Sequence, residues 1–600
     1  MKSLFKLTVL ITCSAILFTA CTSKTSKQGK LIPKDATIVV DINLKAISEQ
    51  LSWDDIKKTS WYQRALTDTN TPPMIKMILE HPENNGIDAG NDIIMFLLKN
   101  GESSQFVVEG NLKDAKAFET INQNMLQAHH EMMKTRHWDR DTSLVRVKDS
   151  SKANATVSKD GDLNLLAFEQ MGIVGWNQER FVYVFDGPDM GRGMLPFPMP
   201  GDGSMTKTES MVPSADRLKE SCKNIFNLKE DNSQYKNEKL AKLLDEDGEI
   251  HYWMNTEQML KGSMQFGMLN MLKLDKFIEG NMSGVTLKFD NGKISVHGKL
   301  YLGSELSDIL KKENGSLNAD MVKMLSGNKV AGVYAMHIRP ETVQELLTLT
   351  GMDGFLNMFL SQQGVTIDDF IKATKGDVVL GVTDLQARSD TGLLKNSPGD
   401  SGIYRSHTPQ VSMVFAVAIN NKESFHKLLK AFEKANSSLG SSKITFKETD
   451  KYFVVGDSKE SVDKYLSAKP AEHPFLDKIK SSQTGGYVDI QTILKAFQPE
   501  MRDSMDKEIY SMNVGMWENF YLFGGEWKDG GLNNNMEVNL VDKNTNSLKQ
   551  LNKFFDGIAR VEMAKHEWQM NQWKEKPVTD TIRFTPPKIV PKKISKKKHK

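Results

Sequence analysis

Apolar and polar residues change their spacing several times along this chain, and each change predicts an element. From Leu7 to Ala20 the run is uncharged and rich in Leu, Ile, Val and Phe, behind Lys2 and Lys6. That is the pattern of a secretory signal, and it is too short to span a bilayer, which needs about 20 apolar residues. Residues 22–30 are small and polar, a tether that cannot bury enough apolar surface to fold by itself. From Leu31 the spacing becomes that of a folded body. Ala36–Leu44 reads as a strand running into a helix, and Val330–Ile338 does likewise. Phe106, Val108, Leu112 and Phe118 match Met413, Phe415, Ile419 and Phe425 at a constant offset; alternation gives way to helical spacing through Ile121 and Met125 in one, Leu428 and Phe432 in the other.

Other elements recur in the same order. A Gly-aliphatic turn leads to an acidic-apolar pair, Gly86-Ile87 to Asp92-Ile93 and Gly364-Val365 to Asp369-Phe370. An apolar strand ending in Asp follows, Phe181 to Asp186 and Tyr452 to Asp457, then a strand and helix, Tyr252 to Leu260 and Gly486 to Leu494. Hairpins turn on Asn291-Gly292 and Asp529-Gly530, pairs favoured where positive φ is needed. A final helix begins near Leu306 and near Leu548. The order predicts two tandem α+β domains, residues 31–320 and 321–562, each a largely antiparallel twisted sheet with helices packed on one face. Residues 1–20 and 21–30 precede them as signal and tether, and 563–600 hold a helix end and a tail.

Two stretches lack a counterpart. Residues 186–215 and 385–410 are rich in Gly, Pro, Ser and Asp without periodicity and read as long surface loops. The first also carries Met190, Met194, Phe197 and Met199. The tail after Pro577 holds seven Lys and Arg583 against Asp580, a charge of +7. With two Lys in the signal and +2 overall, the body carries about -7, so an acidic body joins a basic tail expected to be disordered. At 39% hydrophobic and 26% charged, with mean hydropathy -0.43, the body reads as globular, with no second apolar run long enough to cross a membrane.

Three cysteines are present. Cys13 lies within the signal. Leu17-Phe18-Thr19-Ala20-Cys21 resembles the lipobox of bacterial lipoproteins, with Ala20 and Cys21 on pattern and Leu17 one place earlier than usual. That resemblance implies cleavage between Ala20 and Cys21 and acyl chains such as palmitate on Cys21, each buried methylene contributing about 0.8 kcal/mol to attachment. Cys222 is then the one remaining thiol, which excludes an intrachain disulfide. Its surroundings, Leu218 to Phe226, read as a helix start without a His partner, which predicts a buried structural thiol.

The run Ile32-Pro33-Lys34-Asp35-Ala36-Thr37-Ile38-Val39-Val40-Asp41-Ile42-Asn43-Leu44-Lys45 and the segment Pro82 to Ile93 resemble a Bacteroidetes cell-envelope lipoprotein family of unknown function. The resemblance implies an envelope setting, lipid-anchored to the outer membrane, and no chemistry. The first acid after Cys21 is Asp35, which favours a periplasm-facing position.

Motifs for chemistry are absent. There is no Gly-x-Ser-x-Gly elbow, no His-Glu-x-x-His and no phosphate loop. His129, His130 and His137 lack a fixed carboxylate and read as a solvated helix end rather than a metal site. Asp245-x-Asp247-Gly248 fails as a calcium loop, because Leu243 and Met254 hold its first and twelfth positions. Met254, Met259, Met264, Met268, Met271 and Met282 are expected to pack a core rather than bind copper(I) or apolar ligands. The sequence therefore assigns no catalytic residue, metal or cofactor. Expected partners are the membrane, through lipid on Cys21, and an envelope protein or small apolar ligand held in a groove between two halves; nucleic acid is excluded. The competing expectation is an enzyme whose site is assembled from loops without a linear motif.

Overall fold

The strands predicted from alternation pair into one large sheet. A computed structural model describes residues 28–67, 76, 79, 84–100, 103–136, 157–168, 172–187, 215–260, 274–325, 329–386, 390–397, 400–406, 410–437, 445–497 and 504–575. Ala20, Cys21, His137, Met264, Met268, Met271, the Met-rich part of the first insertion and the basic tail lie outside the described residues. Among those residues no helix is long and apolar enough to cross a membrane.

In the first half the strands are β1 (Ala36–Ile42), β2 (Ile93–Asn100), β3 (Ser103–Asn111), β4 (Ser158–Asp160), β5 (Leu163–Phe168), β6 (Gly172–Trp176), β7 (Arg180–Gly187), β8 (Ile250–Asn255), β9 (Met282–Asp290) and β10 (Lys293–Tyr301). The second half continues with β11 (Val330–His337), β12 (Thr374–Gln386), β13 (Asp390–Ser397), β14 (Asp400–Ser406), β15 (Gln410–Ile419), β16 (Thr445–Glu448), β17 (Tyr452–Gly456), β18 (Thr484–Asp489), β19 (Trp517–Lys528) and β20 (Gly531–Leu540). The helices used below are α1 (Ala115–Arg136), α2 (Ala215–Phe226), α3 (Lys422–Ser437), α4 (Lys459–Ser467), α5 (Leu476–Ile479) and α6 (Ser547–Glu575).

Among the described residues eighteen strands form the sheet, and every pairing is antiparallel, so the fold is α+β. The centre is the pairing of β10 with β20. Outward from it one side runs β9, β8, β1, β2, β3, β7, β6, β5, β4. The other runs β19, β18, β11, β12, β15, β17, β16.

Register follows the same order. Ile38 lies opposite Leu97, and Leu97 opposite Phe106; Gly332 lies opposite Val382, and Val382 opposite Met413. Both β1 and β11 bulge just before that row, between Ala36 and Ile38 and between Val330 and Gly332. At the centre His297 faces Asn535, each five residues past the glycine of its hairpin turn. The two central hairpins thus pair at the same offset from their turns.

Three positions differ from the sequence alignment. Phe181 is opposite Gly110 and Phe453 opposite Val417, so Phe453 rather than Tyr452 holds the place of Phe181. Phe118 of α1 stacks on Phe181 at 4.9 Å, and Phe425 of α3 lies 5.2 Å from Phe453. A shift of one residue moves a side chain to the other face of a sheet. Asp92 precedes Ile93, which faces Ile42, while Val378 faces Met336; Asp377, not Asp369, is thus its match. At the hairpins, Asp529 and Gly530 both have positive φ (51° and 82°), whereas in the first turn Gly292 alone does (64°).

Helices cover both faces, not one. Along β7, Val182 and Val184 pack with Leu218, Cys222 and Ile225 of α2, while Phe181 packs with Phe118, Met125 and Leu126 of α1 on the other side. The core of the second half takes in Leu317, Met321, Val322 and Leu325 together with Val462 and Tyr465 of α4 and Leu476 and Ile479 of α5. Trp176 and Trp253 are among the largest fully buried side chains, and each such burial contributes roughly 1.5–3 kcal/mol. The long α6, anchored where Asn546 accepts from Leu548 N at 2.9 Å, returns to the first half. There Asn552 accepts from Trp61 Nε1 at 3.2 Å and Asn546 Nδ2 donates to Phe289 O at 2.7 Å.

The stretch 385–410 is not a plain loop. Within it β13 and β14 pair as an antiparallel hairpin separate from the main sheet. Pro398 and Gly399 lie between the strands in sequence, the residue types that reverse a chain.

Candidate functional site

A cavity of about 440 Å³ opens in the first half between the sheet and α2. Pro33, Lys34 and Asp35 form its rim, Leu98 and Gln105 its floor, and Ser221, Asn224 and Ile225 of α2 with Leu228 just beyond the helix its wall. The volume falls within the roughly 300–1,000 Å³ of small-molecule sites. Several local features fix these positions. Leu98 and Gln105 are directly opposite on β2 and β3. The rim is pinned by its backbone: Lys34 N donates to Asn232 O at 2.9 Å, Gln234 Nε2 donates to Lys34 O at 3.0 Å, and Pro33 bridges to Ser233.

The wall is set by helical spacing. Leu218, Cys222 and Ile225 turn one face of α2 into the core, and Ser221, Asn224 and Ile225 share one helical stripe, with Leu228 following after the helix ends at Phe226. Arg180 Nη2 donates to the Ile225 and Phe226 carbonyls at 3.3 and 3.2 Å, and its guanidinium lies 4.4 Å over the Phe226 ring. A cation there complements the partial negative charge of a helix C-terminus. Cys222 is fully buried, and burial pushes its thiol up to about 12, against the opposing charge of Arg180. A thiol in that state is not a nucleophile.

The floor is polar and unpaired. Gln105 is only 2% exposed and its Nε2 has no hydrogen-bond partner. Two positions along the same face of β3, Glu109 is buried with neither carboxylate oxygen bonded. Burial pushes Glu109 up to about 8, with Arg180 opposing.

A second cavity lies in the second half, lined by Leu325, Thr383, Ser412, Val414, Ser461, Lys464 and Tyr465. Thr383 and Ser412 are opposite one another on β12 and β15, as Leu98 and Gln105 are on β2 and β3. Ser461, Lys464 and Tyr465 repeat the spacing of Ser221, Asn224 and Ile225. This second space measures only about 10 Å³. Tyr465 fills it, 2% exposed, with its hydroxyl donating to Met321 O at 2.9 Å. Lys464 closes the mouth by an ion pair with Asp384.

A buried polar row crosses the first half near the centre of the sheet. Asp41 faces His251, His251 faces Thr286, and Thr286 faces His297. Asp41 Oδ2 lies 3.1 Å from His251 Nδ1, Glu246 O lies 3.0 Å from His251 Nε2, and Glu246 Oε2 lies 3.1 Å from His297 Nδ1. Burial pushes the Asp41 carboxyl upward. Burial opposes the His251 cation, but the bonds to Asp41 and the Glu246 carbonyl outweigh it and raise that imidazole; both shifts retain the pair's proton. The Asp41 and His251 side chains are each 4% exposed, which seals them from any substrate. The row therefore reads as a structural ladder.

The sequence-level candidates fall elsewhere. Asp247 pairs with Lys288 at 2.5 Å, Met254 and Met282 lie on β8 and β9, and His129 and His130 belong to α1. Among the described residues, no group of three His, Cys, Asp or Glu could hold a metal. Gln105, Asn224 and Ile225 carried no linear motif and were not legible as site residues.

No family model matches the chain, and no curated protein does. Among solved structures, two crystal forms of TP0453 share 10% identity with it. Crystal form I covers 46% of this chain and 78% of that chain with a TM-score of 0.20, and form IV covers 48% and 86% with 0.23.

Proposed function

We propose that this chain is a lipid-anchored protein of the bacterial cell envelope that binds a small ligand and does not catalyse a reaction. In this reading it belongs to the Bacteroidetes lipoprotein family that its Ile32–Lys45 run resembles, and it is anchored through Cys21 to the outer membrane, facing the periplasm. It is built from two copies of one domain, and the first copy keeps the binding site. The single observation that carries the binding reading is the unequal pair of cavities, about 440 Å³ beside Gln105 and about 10 Å³ beside Ser412. What supports the duplication is the shared strand order and the row Phe106, Leu97, Ile38 beside Met413, Val382, Gly332. The two halves join edge to edge through β10 and β20, so the proposed site lies within the first half and not in a groove between them.

Two measurements test this. Native mass spectrometry of protein released gently from membranes is expected to find a small molecule on the wild type and none on Ile225→Tyr, which copies the second half. An identical unliganded mass for both would remove the binding reading. For the anchor, Cys21→Ala is expected to move the protein from the membrane to the soluble fraction and to leave its precursor uncleaved; retention on membranes in high salt would count against it.

A further inference from the structure

We infer that the cavity beside Gln105 takes a small, net-neutral zwitterion of the amino-acid or short-peptide class, an inference that rests on the binding reading above. The charges at the rim carry the argument. Lys34 and Asp35 are adjacent, exposed and opposite in sign, and both line the cavity. Among the described residues neither side chain has an ion pair or hydrogen bond, although their backbone is pinned at Asn232 and Gln234. Elsewhere on this surface lysines find acids readily, as Lys30 does with Glu230 and Lys223 with Asp160. An ammonium and a carboxylate held side by side, both free, match a ligand bearing one carboxylate and one ammonium.

The rest of the lining narrows the class. Gln105, whose Nε2 has no partner among the described residues, offers an amide, and Ser221 and Asn224 add a hydroxyl and a second amide, which suit a peptide bond or a polar side chain. Leu98, Ile225 and Leu228 supply an apolar wall for a side chain. A phosphate-bearing ligand would meet one lysine with an acid beside it, an arrangement with no net positive charge to hold a dianion. A fatty acyl chain would leave buried Gln105 without a partner for its amide. The lining has no aromatic ring on which a sugar could stack.

The test uses the full mature chain in equilibrium dialysis against free amino acids, di- and tripeptides, the same compounds with acetylated and amidated termini, and monosaccharides. Saturable binding of the free compounds is expected, at least tenfold weaker once either terminus is blocked. Lys34→Gln and Asp35→Asn, both at exposed positions, are expected to weaken binding at least tenfold, and Ile225→Tyr to abolish it. Equal binding of blocked and free compounds would overturn the zwitterion. Saturable binding of monosaccharides alone, lost in Ile225→Tyr, would overturn the ligand class while leaving the binding reading standing. Wild type and Ile225→Tyr that are equally inert to every compound, with equal native masses, would overturn both.

Discussion

Two helices pack on the sheet, α2 against β6 and β7 and α4 against β15, β16 and β17, and they leave very different spaces beside them. In the second half the ring of Tyr465 occupies the space, its hydroxyl is bonded to Met321 O, and Lys464 and Asp384 close over it. In the first half Ile225 stands in the tyrosine's place, Asn224 replaces the lysine, and Gln105 faces an opening where Ser412 faces a packed wall. The inner rows differ in the same sense. Positions filled by Ala335, Gly485 and Phe523 in the second half are Asp41, His251 and Thr286 in the first. Both halves bury polar groups, among them Glu313 and Asp377 in the second, but along these two rows only the first half does. Polar groups left unpaired in a core cost free energy, so unpartnered Gln105 and Glu109 on β3 mark a place where something besides packing was favoured.

The largest expected effect comes from opening the packed half. Tyr465→Ile removes the ring and its bond to Met321, and should destabilise the protein by about 3 kcal/mol, read from urea unfolding. A loss under about 1 kcal/mol would mean that Tyr465 is not the plug described here.

Next comes Glu109, whose counterpart on β15 is Ala416. Its carboxyl rises from the ordinary 4.5 to about 8 on folding, so the folded state holds a proton that the unfolded state releases between those values. Stability is therefore highest below about pH 4.5 and falls as pH climbs toward about 8, by up to roughly 1.4 kcal/mol per unit. Glu109→Gln should flatten that slope and leave the variant about 2 kcal/mol more stable than wild type above pH 8, since a buried amide still lacks partners. Parallel slopes for the two proteins would show that Glu109 is ionised in the fold.

The smallest effect is at the sheet centre. The bond to Glu246 raises His297 above its ordinary value, over the opposing effect of burial. Its contribution is then present below about pH 6.5 and lost as pH rises through the folded value. The imidazole is 41% exposed, so screening holds the contribution to a few tenths of a kcal/mol. His297→Gln should be that much less stable at acid pH and equal to wild type at alkaline pH. A difference that persists at alkaline pH would point to packing against Asn535 instead.

Spacing along the chain was enough to place most elements. Alternation marked β1, β3 and β11, and the run from Leu548 to Trp573 ahead of Pro577 marked α6, which ends at Glu575. The Asn291-Gly292 turn was located correctly, yet its φ values differ from those of Asp529-Gly530, because Asn291 is held in a bridge to Asn546 far away in sequence. Placing helices on both faces required seeing that Phe181 and Val182 enter different cores. The hairpin of β13 and β14 was hidden because its composition is that of a loop.

For the site, the sequence by itself determined that Cys222 would be buried on a helix and that no familiar catalytic or metal motif was available. Only the tertiary structure decided that Pro33 to Asp35, Leu98, Gln105 and the Ser221–Leu228 segment enclose one space. Those segments are brought together by strand pairing and helix packing across long loops. An isoleucine on a helix face reads as core in any sequence; whether it fills its surroundings or leaves a cavity depends on the volume of what stands opposite, which spacing along one strand or helix does not encode.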